Sequence, residues 1–203
     1  MQKRPSQTRD LILDIAERHI AELGYDAASL ADIAKEVGIR TPSLYNHFDS
    51  KQKLYEAVIE RLLDPFISMM DTALAKAADH NVALYLLGQV SAHHIKTPYL
   101  SRIVQHATLA GGTQLEILRD RWYIPLYEKI NQQLDKGPLV GPGWTKTDMQ
   151  LLVAAFHSIV FGYVTLSPLY KDLFAKDPYS EEMVAAQIKF VERLMSDLWK
   201  ANS

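Results

Sequence analysis

Gly24-Tyr25-Asp26-Ala27-Ala28-Ser29-Leu30-Ala31-Asp32-Ile33-Ala34-Lys35-Glu36-Val37-Gly38-Ile39-Arg40-Thr41-Pro42-Ser43-Leu44-Tyr45-Asn46-His47-Phe48 is the stretch that decides the fold. Ser29 is a helix cap, and Asp32 three residues on resembles the second half of a capping box. Leu30, Ile33, Ala34 and Val37 recur at helical spacing and form an inward stripe of two to three turns. Gly38 permits the left-handed turn that ends this helix. Pro42 falls in the first turn of a second, short helix, where its missing amide proton costs nothing. Ile39 and Leu44 pack back, and Phe48 reads as core. Thr41, Ser43, Asn46 and His47 are left facing outward with Tyr45 nearby. A short helix, a glycine turn and a second helix with mid-sized polar side chains outward is a helix-turn-helix.

Those side chains suit DNA. Arg40, Thr41, Ser43 and Asn46 offer hydrogen bonds to base edges in a major groove. Ser29, Tyr45, His47 and Lys51 are placed to reach phosphates. The helix that begins after Ser50 adds its N-terminal dipole. The competing reading is an ordinary buried helical hairpin, with Tyr45 as a core aromatic and His47 on the surface. Bulk charge does not help the DNA reading, because residues 1–60 hold eight basic and ten acidic side chains. The positive potential is therefore expected as a narrow strip on the N-terminal tail, the turn and the next helix start. Such a strip gives modest non-specific affinity and a shallow salt dependence.

The chain of 203 residues has room for one large domain or two small ones. It is 48% hydrophobic and 23% charged with a formal net charge of −2, which excludes a polybasic coat or membrane binder. It has no cysteine, so disulfides, thiolate metal sites and thiol nucleophiles are excluded; this suits a cytoplasmic protein. The start of the chain lacks the unbroken apolar centre of an export signal. Strand signals are almost missing. Ile12, Ala16, Ile20 and Leu23 mark an amphipathic first helix that Gly24 stops. Asp49-Ser50 opens a long helix to about Ala78, with a bend expected at Pro65. Asp79-His80-Asn81, Thr97-Pro98, Gly111-Gly112 and the glycine- and proline-rich run 137–143 punctuate the rest of the chain, and Pro125 marks another bend. Thr145 or Thr147 caps an apolar helix that fades near Pro168. Residues 177–182 open a last helix with Val184, Ile188, Val191, Met195 and Leu198 as its stripe. The fold class is all-α, with about nine helices. No Asp, Glu, Lys or Arg stands between Asp148 and Lys171. That stretch is read as a helix buried on most sides, not as a membrane span.

The ordered series Gly24-Tyr25, Ser29-Leu30, Ile33-Ala34, Val37-Gly38-Ile39, Leu44-Tyr45, His47-Phe48, Lys51 and Leu54 resembles the N-terminal signature of the TetR family of bacterial transcriptional regulators. The resemblance covers residues 8–55, about a quarter of the chain. It implies a DNA-binding lobe over residues 1–50 and a ligand-binding and dimerisation lobe over residues 51–203. It also implies a homodimer that represses by occupying a near-palindromic double-stranded DNA operator and is released by a small-molecule effector. By position, the family's groove-reading helix falls on Arg40 to His47, and its phosphate contacts on Ser29, Tyr45, His47 and Lys51. Many relatives carry Ser or Glu where this chain has Arg40. Ala31 is too small to reach a base where some relatives place an Arg.

The C-terminal lobe holds most of the aromatic and histidine residues. Tyr85, Gln89 and His93 share one helix face, and Tyr99, Ile103 and His106 share another. Trp122 and Phe156 lie on later helices. A cavity among these side chains is expected to take an apolar or aromatic effector, with simple core packing as the alternative for each. His93 and His94 with His106 or His157 lack the spacing of a metal site, and no metal or cofactor is expected. The apolar helix and the last helix carry more apolar surface than one lobe needs. Ala154, Ala155, Ser158 and Gly162 would allow two copies to pair closely in a four-helix bundle. No catalytic motif is present, so an enzyme is not expected. A regulator without a ligand, and a protein-interaction module that has lost DNA binding, are the alternatives.

Overall fold

The computed structural model describes residues 5–75, 80–135 and 143–201. Most of the expected loop 137–143 lies outside them, and so do the side chains of Tyr85, Met195 and Leu198. Ten α-helices fill the described residues: α1 (Pro5–Ala27), α2 (Leu30–Val37), α3 (Thr41–Tyr45), α4 (Lys51–Ala75), α5 (His80–Lys96), α6 (Pro98–Ala110), α7 (Gly112–Leu118), α8 (Ile124–Asp135), α9 (Lys146–Phe174) and α10 (Glu181–Ala201). A π-helical turn at Arg119–Tyr123 joins α7 to α8 without a break, so the rods number nine among the described residues. No strand occurs among them.

Two apolar cores organise the bundle. The first joins Ile12, Ala16 and Ile20 of α1, Ile33 and Ala34 of α2, Leu44, Phe48, and Leu54, Val58, Leu62 and Leu63 of α4 with Leu100, Ile103 and Ala107 of α6. The second joins Phe66, Met70 and Leu74 of α4 with Leu86 and Val90 of α5, Phe156 and Val160 of α9, and Val191 of α10. Helix α4 therefore threads both cores, and Pro65 stands between its last residue in one and its first in the other. Each fully buried aliphatic or aromatic side chain here contributes on the order of 1.5–3 kcal/mol. α1 packs on α2 and α4, and most extensively on α6. Arg61 ties α4 to Asp14 and Glu17 of α1, while Arg18 and His19 tie α1 to Glu36 of α2.

Three helix boundaries differ from expectation. At Gly24 the backbone breaks at φ 79° and ψ 168°, but the chain resumes a helical turn to Ala27. The bend expected at Pro125 is the π-helical turn just before it; the wider turn accommodates a residue that has no amide to donate. α9 does not fade at Pro168 but runs on to Phe174. Pro168 deprives the Val164 carbonyl of its helical partner, and the Ser167 hydroxyl donates to that carbonyl instead at 2.8 Å. Tyr179 adds a second hydroxyl to the same network, 2.9 Å from Ser167 Oγ.

The burial expected for α9 is also corrected. Met149, Phe156, Val160, Val164 and Ser167 are buried, but Leu151, Leu166, Leu169, Leu173 and Phe174 are exposed. The helix is long and apolar enough to cross a membrane by length and composition alone. Its apolar residues surround the helix, so one face is packed on α5 and α6 and the opposite face is left open.

Candidate nucleic-acid interface and internal cavity

The helix pair α2–α3 is built from local signals. The Ser29 hydroxyl accepts from the amides of Ala31 at 3.2 Å and Asp32 at 3.4 Å. Gly38, at φ 82° and ψ 29°, closes α2 in the left-handed conformation, and its amide bonds back to Lys35. Arg40 begins α3, with Pro42 in the first turn. Leu44 and Phe48 are buried, and Ile39 packs against the same core. This anchoring turns the other face of α3 outward. Arg40, Pro42, Tyr45 and Asn46 are exposed, and Thr41, Ser43 and His47 are half-buried. Tyr45 keeps 48% of its surface open, which a core aromatic would not. Among the described residues, neither Arg40 nor Lys35 is paired with a carboxylate.

Two of the nine residues expected at the DNA interface, which are Ser29, Arg40, Thr41, Pro42, Ser43, Tyr45, Asn46, His47 and Lys51, already hold the fold together. Ser29 caps α2. Lys51 Nζ donates to the Asp26 carbonyl at 3.0 Å and stands 4.6 Å from the centroid of the Tyr25 ring. Ser50 caps the start of α4 by accepting from the Lys53 amide at 3.1 Å. Arg9 stands 5.0 Å over the Phe48 ring, which adds a cation at the edge of α3 that the sequence pattern left unassigned.

In the second half of the molecule, a cavity of about 110 Å³ opens between α4, α5, the π-helical turn, α8 and α9. Trp122 and Phe156 line it, as do Leu63, Met70, Leu126 and Ile130. The other side chains expected around one cavity lie elsewhere. Gln89 and His93 are not among its walls. His93 stacks on Phe66 at 4.8 Å between centroids, and its Nε2 lies 3.1 Å from the Leu62 carbonyl. Tyr99 and Ile103 belong to the first core, because α6 turns this face to α1. His106 is exposed and stands beside Gly24. Helical spacing correctly gives a shared face, but it does not say which neighbour that face meets.

The polar groups of the cavity are His94, Tyr123, Tyr127 and His157. Tyr127 carries little sequence signal; the only one is the four-residue step from Tyr123. The Tyr127 hydroxyl lies 3.0 Å from His157 Nδ1. His94 Nδ1 lies 2.9 Å from the Ser101 hydroxyl, and Trp122 donates to Asp64 at 3.1 Å. Burial, with His93 and His157 adding to it, pushes the His94 pKa down to about 3. Burial also lowers the pKa of His157 and raises that of Tyr127 to about 12. The cavity is therefore uncharged near neutral pH. Among the described residues, no group of three or more His, Asp or Glu side chains is placed to hold a metal ion.

Residues 12–58 match the family described as bacterial regulatory proteins, tetR family. The chain is 46% identical over 56 residues to the Staphylococcus aureus biofilm operon icaADBC HTH-type negative transcriptional regulator IcaR. The aligned part is 28% of this chain and 30% of that regulator. The Staphylococcus epidermidis IcaR is 39% identical over 62 residues, 30% of this chain and 34% of its own. The backbone resembles the fatty acid degradation regulator FadR of Bacillus halodurans, with a TM-score of 0.61 at 20% identity over 96% of both chains. It also resembles a TetR family transcription regulator from Marinobacter aquaeolei, with a TM-score of 0.66 at 18% identity over 95% of this chain and 97% of the other. The tetR-family match thus falls on residues 12–58, which span α2 and α3 and reach into α1 and α4, and nearly the whole chain shares its fold with these two solved regulators.

Proposed function

We propose that the protein is a dimeric transcription repressor, not an enzyme, that binds a near-palindromic operator and is released by a small molecule in the α4–α9 cavity. Residues 1–50 form the DNA-binding lobe in this reading, and residues 51–203 the effector and dimer lobe. The single observation that carries it is the α2–α3 pair. Ile33, Ala34 and Leu44 are buried, while Arg40, Tyr45 and Asn46 stand free on the outer face. Such a face has the size and chemistry to enter a major groove and read base edges. The relatives named as negative transcriptional regulators match 56 residues of this chain at 46% identity, which supports repression as the outcome.

Dimerisation is read from α9. Leu151, Ala154, Ala155, Ser158, Leu166, Leu169 and Leu173 are all exposed, and they recur at spacings that keep them on one side of the helix. Phe190 of α10 is a further exposed apolar side chain. Two copies would cover this surface as a four-helix bundle and set two α3 helices about 34–36 Å apart, one turn of DNA. An effector that fits one conformer better than the other shifts DNA affinity by that difference, and a coupling of about 1–3 kcal/mol is enough for a switch.

The experiment is a gel shift on the DNA flanking the protein's own gene, at several salt concentrations. Removing Tyr45 and Lys51 together is expected to weaken binding to every sequence, and Asn46→Ala to weaken the operator selectively. If neither change alters binding, α3 is not the reading helix. If no DNA is retained at any salt, the protein is an interaction module instead.

A further inference from the structure

We infer that the π-helical turn at Arg119–Tyr123 couples the cavity to the DNA-binding lobe, and that the hydrogen bond from Trp122 to Asp64 is the link. The inference rests on the reading of the α4–α9 cavity as the effector site, and it names how an occupant there reaches the helices that meet DNA. Among the described residues, Leu63 and Trp122 are the buried cavity walls that also belong to the first core. Leu63 is part of α4 itself. Trp122 is therefore the wall that reaches α4 from another element. Its indole N–H donates to Asp64 Oδ1 at 3.1 Å, and its neighbour Arg121 lies over the same ring at 4.8 Å from the centroid. Arg121 also pairs with Glu56 at 3.5 Å and with Glu60 at 3.7 Å. Glu56, Glu60 and Asp64 follow one another at steps of four, so they share one face of α4. A π-helical turn takes more residues than an α turn, so its consecutive side chains diverge less. Arg121 and Trp122 thereby grip one face together.

All three carboxylates precede Pro65. Pro65 has no amide to give the Arg61 carbonyl, so α4 lacks a helical hydrogen bond at this point. The stretch before it packs Leu54, Val58 and Leu62 into the core that also holds α1, α2 and Leu44 of α3. The stretch after it has a different partner, since Lys129 of α8 pairs with Asp71 at 2.6 Å. The two halves of α4 are thus held by different elements on either side of its weakest point. An engineered cavity that holds one benzene ring measures about 150 Å³, whereas this one measures about 110 Å³. An occupant of ring size or larger must therefore push the walls apart. When the Trp122 ring moves outward, its bond draws Asp64 along. The first half of α4, with the core that anchors α3, then swings about Pro65.

Fluorescence anisotropy of the full chain on the DNA flanking its own gene, with and without saturating toluene, tests this. Isothermal titration calorimetry of each variant checks that toluene is bound. In the unmodified protein, toluene is expected to weaken DNA binding at least about fivefold. Trp122→Phe keeps an aromatic wall and loses the N–H, and Asp64→Ala loses the acceptor at an exposed position. In both, the effect of toluene is expected to shrink to within about twofold while toluene still binds. Asp64→Asn keeps an oxygen that accepts and is expected to retain the full effect. An effect that survives both Trp122→Phe and Asp64→Ala overturns the link and leaves the effector site standing. Loss of the effect in Asp64→Asn as well as in Asp64→Ala overturns the hydrogen bond as the link. If toluene binds the unmodified protein without changing its DNA affinity, or does not bind at all, the effector-site reading fails, and this inference fails with it.

Discussion

Lys51 Nζ donates to the main-chain carbonyl of Asp26 at 3.0 Å, so the first residue of α4 is fastened to the end of α1. The same ammonium sits over the Tyr25 ring. One cation thus holds two helix ends together beside the proposed reading helix. Lys51→Ala is expected to lower stability by about 1–2 kcal/mol through loss of a charge-assisted bond and a cation–π contact. If the ammonium also meets a phosphate, the slope of log affinity against log salt falls by about 1. Fluorescence anisotropy across a salt series reads the second effect, and urea unfolding the first. Lost stability with an unchanged slope would assign Lys51 to structure alone.

Gly24 occupies a backbone region open essentially only to glycine, at φ 79° and ψ 168°. A Cβ there would also stand 3.2 Å from His106 Nδ1 of α6. Gly24→Ala is therefore expected to cost about 1–3 kcal/mol. His106→Ala in the same chain relieves the side-chain contact but not the backbone strain. Urea midpoints of both single variants and the double variant separate the two parts, and full rescue by His106→Ala would contradict the strain argument.

The Val164 carbonyl shows how α9 passes Pro168. Ser167→Ala with Tyr179→Phe removes both hydroxyls that reach it. An unpaired buried carbonyl costs about 1–3 kcal/mol. In a Pro168→Ala background the helix regains its own amide donor, so the same pair of changes should cost less. Equal costs in the two backgrounds, measured by urea unfolding, would show that the hydroxyls serve something other than this carbonyl.

Acid should weaken the fold through its buried histidines. His94 is held neutral in the folded chain by burial, with a pKa near 3, whereas the unfolded chain takes up a proton below its ordinary value near 6.5. Unfolding therefore consumes protons between these limits, and stability is complete above about pH 6.5 and falls as pH drops. Each such histidine contributes a slope of about 1.4 kcal/mol per pH unit. His93 and His157 are shifted the same way by burial and add to it. Urea midpoints from pH 7.5 to 4.5 read the slope. A flat profile, or one that rises towards acid, would mean these rings are hydrated in solution.

The parts legible in sequence are those set by local chemistry. Ser29, Gly38 and Pro42 each act on neighbours within four residues, and they place α2, the turn and α3 as expected. Long-range choices were not legible. Ile103 and Phe156 carry the same kind of helical pattern, yet Ile103 is taken by the first core and Phe156 lines the cavity. The two are separated by the strong packing of α6 on α1, a contact between segments far apart in the chain. Apolar residues all round α9 likewise concealed which face the subunit buries. Pro168 read as a stop because the compensating donors, Ser167 and Tyr179, are a matter of tertiary geometry.

The open face of α9 bears on assembly. Leu169 is 51% exposed in the single chain, with Leu166 and Leu173 one turn to either side. Substituting an exposed residue changes subunit stability by at most about 0.5 kcal/mol when no second copy covers it. If two copies bury this stripe, Leu169→Asp places an unpaired charge in an apolar interface, which costs several kcal/mol per dimer. Sedimentation equilibrium at micromolar concentration is then expected to give half the mass of the unmodified protein. Operator affinity should fall about 100-fold or more, because the two half-sites are no longer bound through one linked molecule. Leu23→Asp, at a 54% exposed position on α1, which packs on α2, α4 and α6, is the control and should remain dimeric. An unchanged mass for Leu169→Asp would move the subunit contact elsewhere and leave the α9 stripe unexplained.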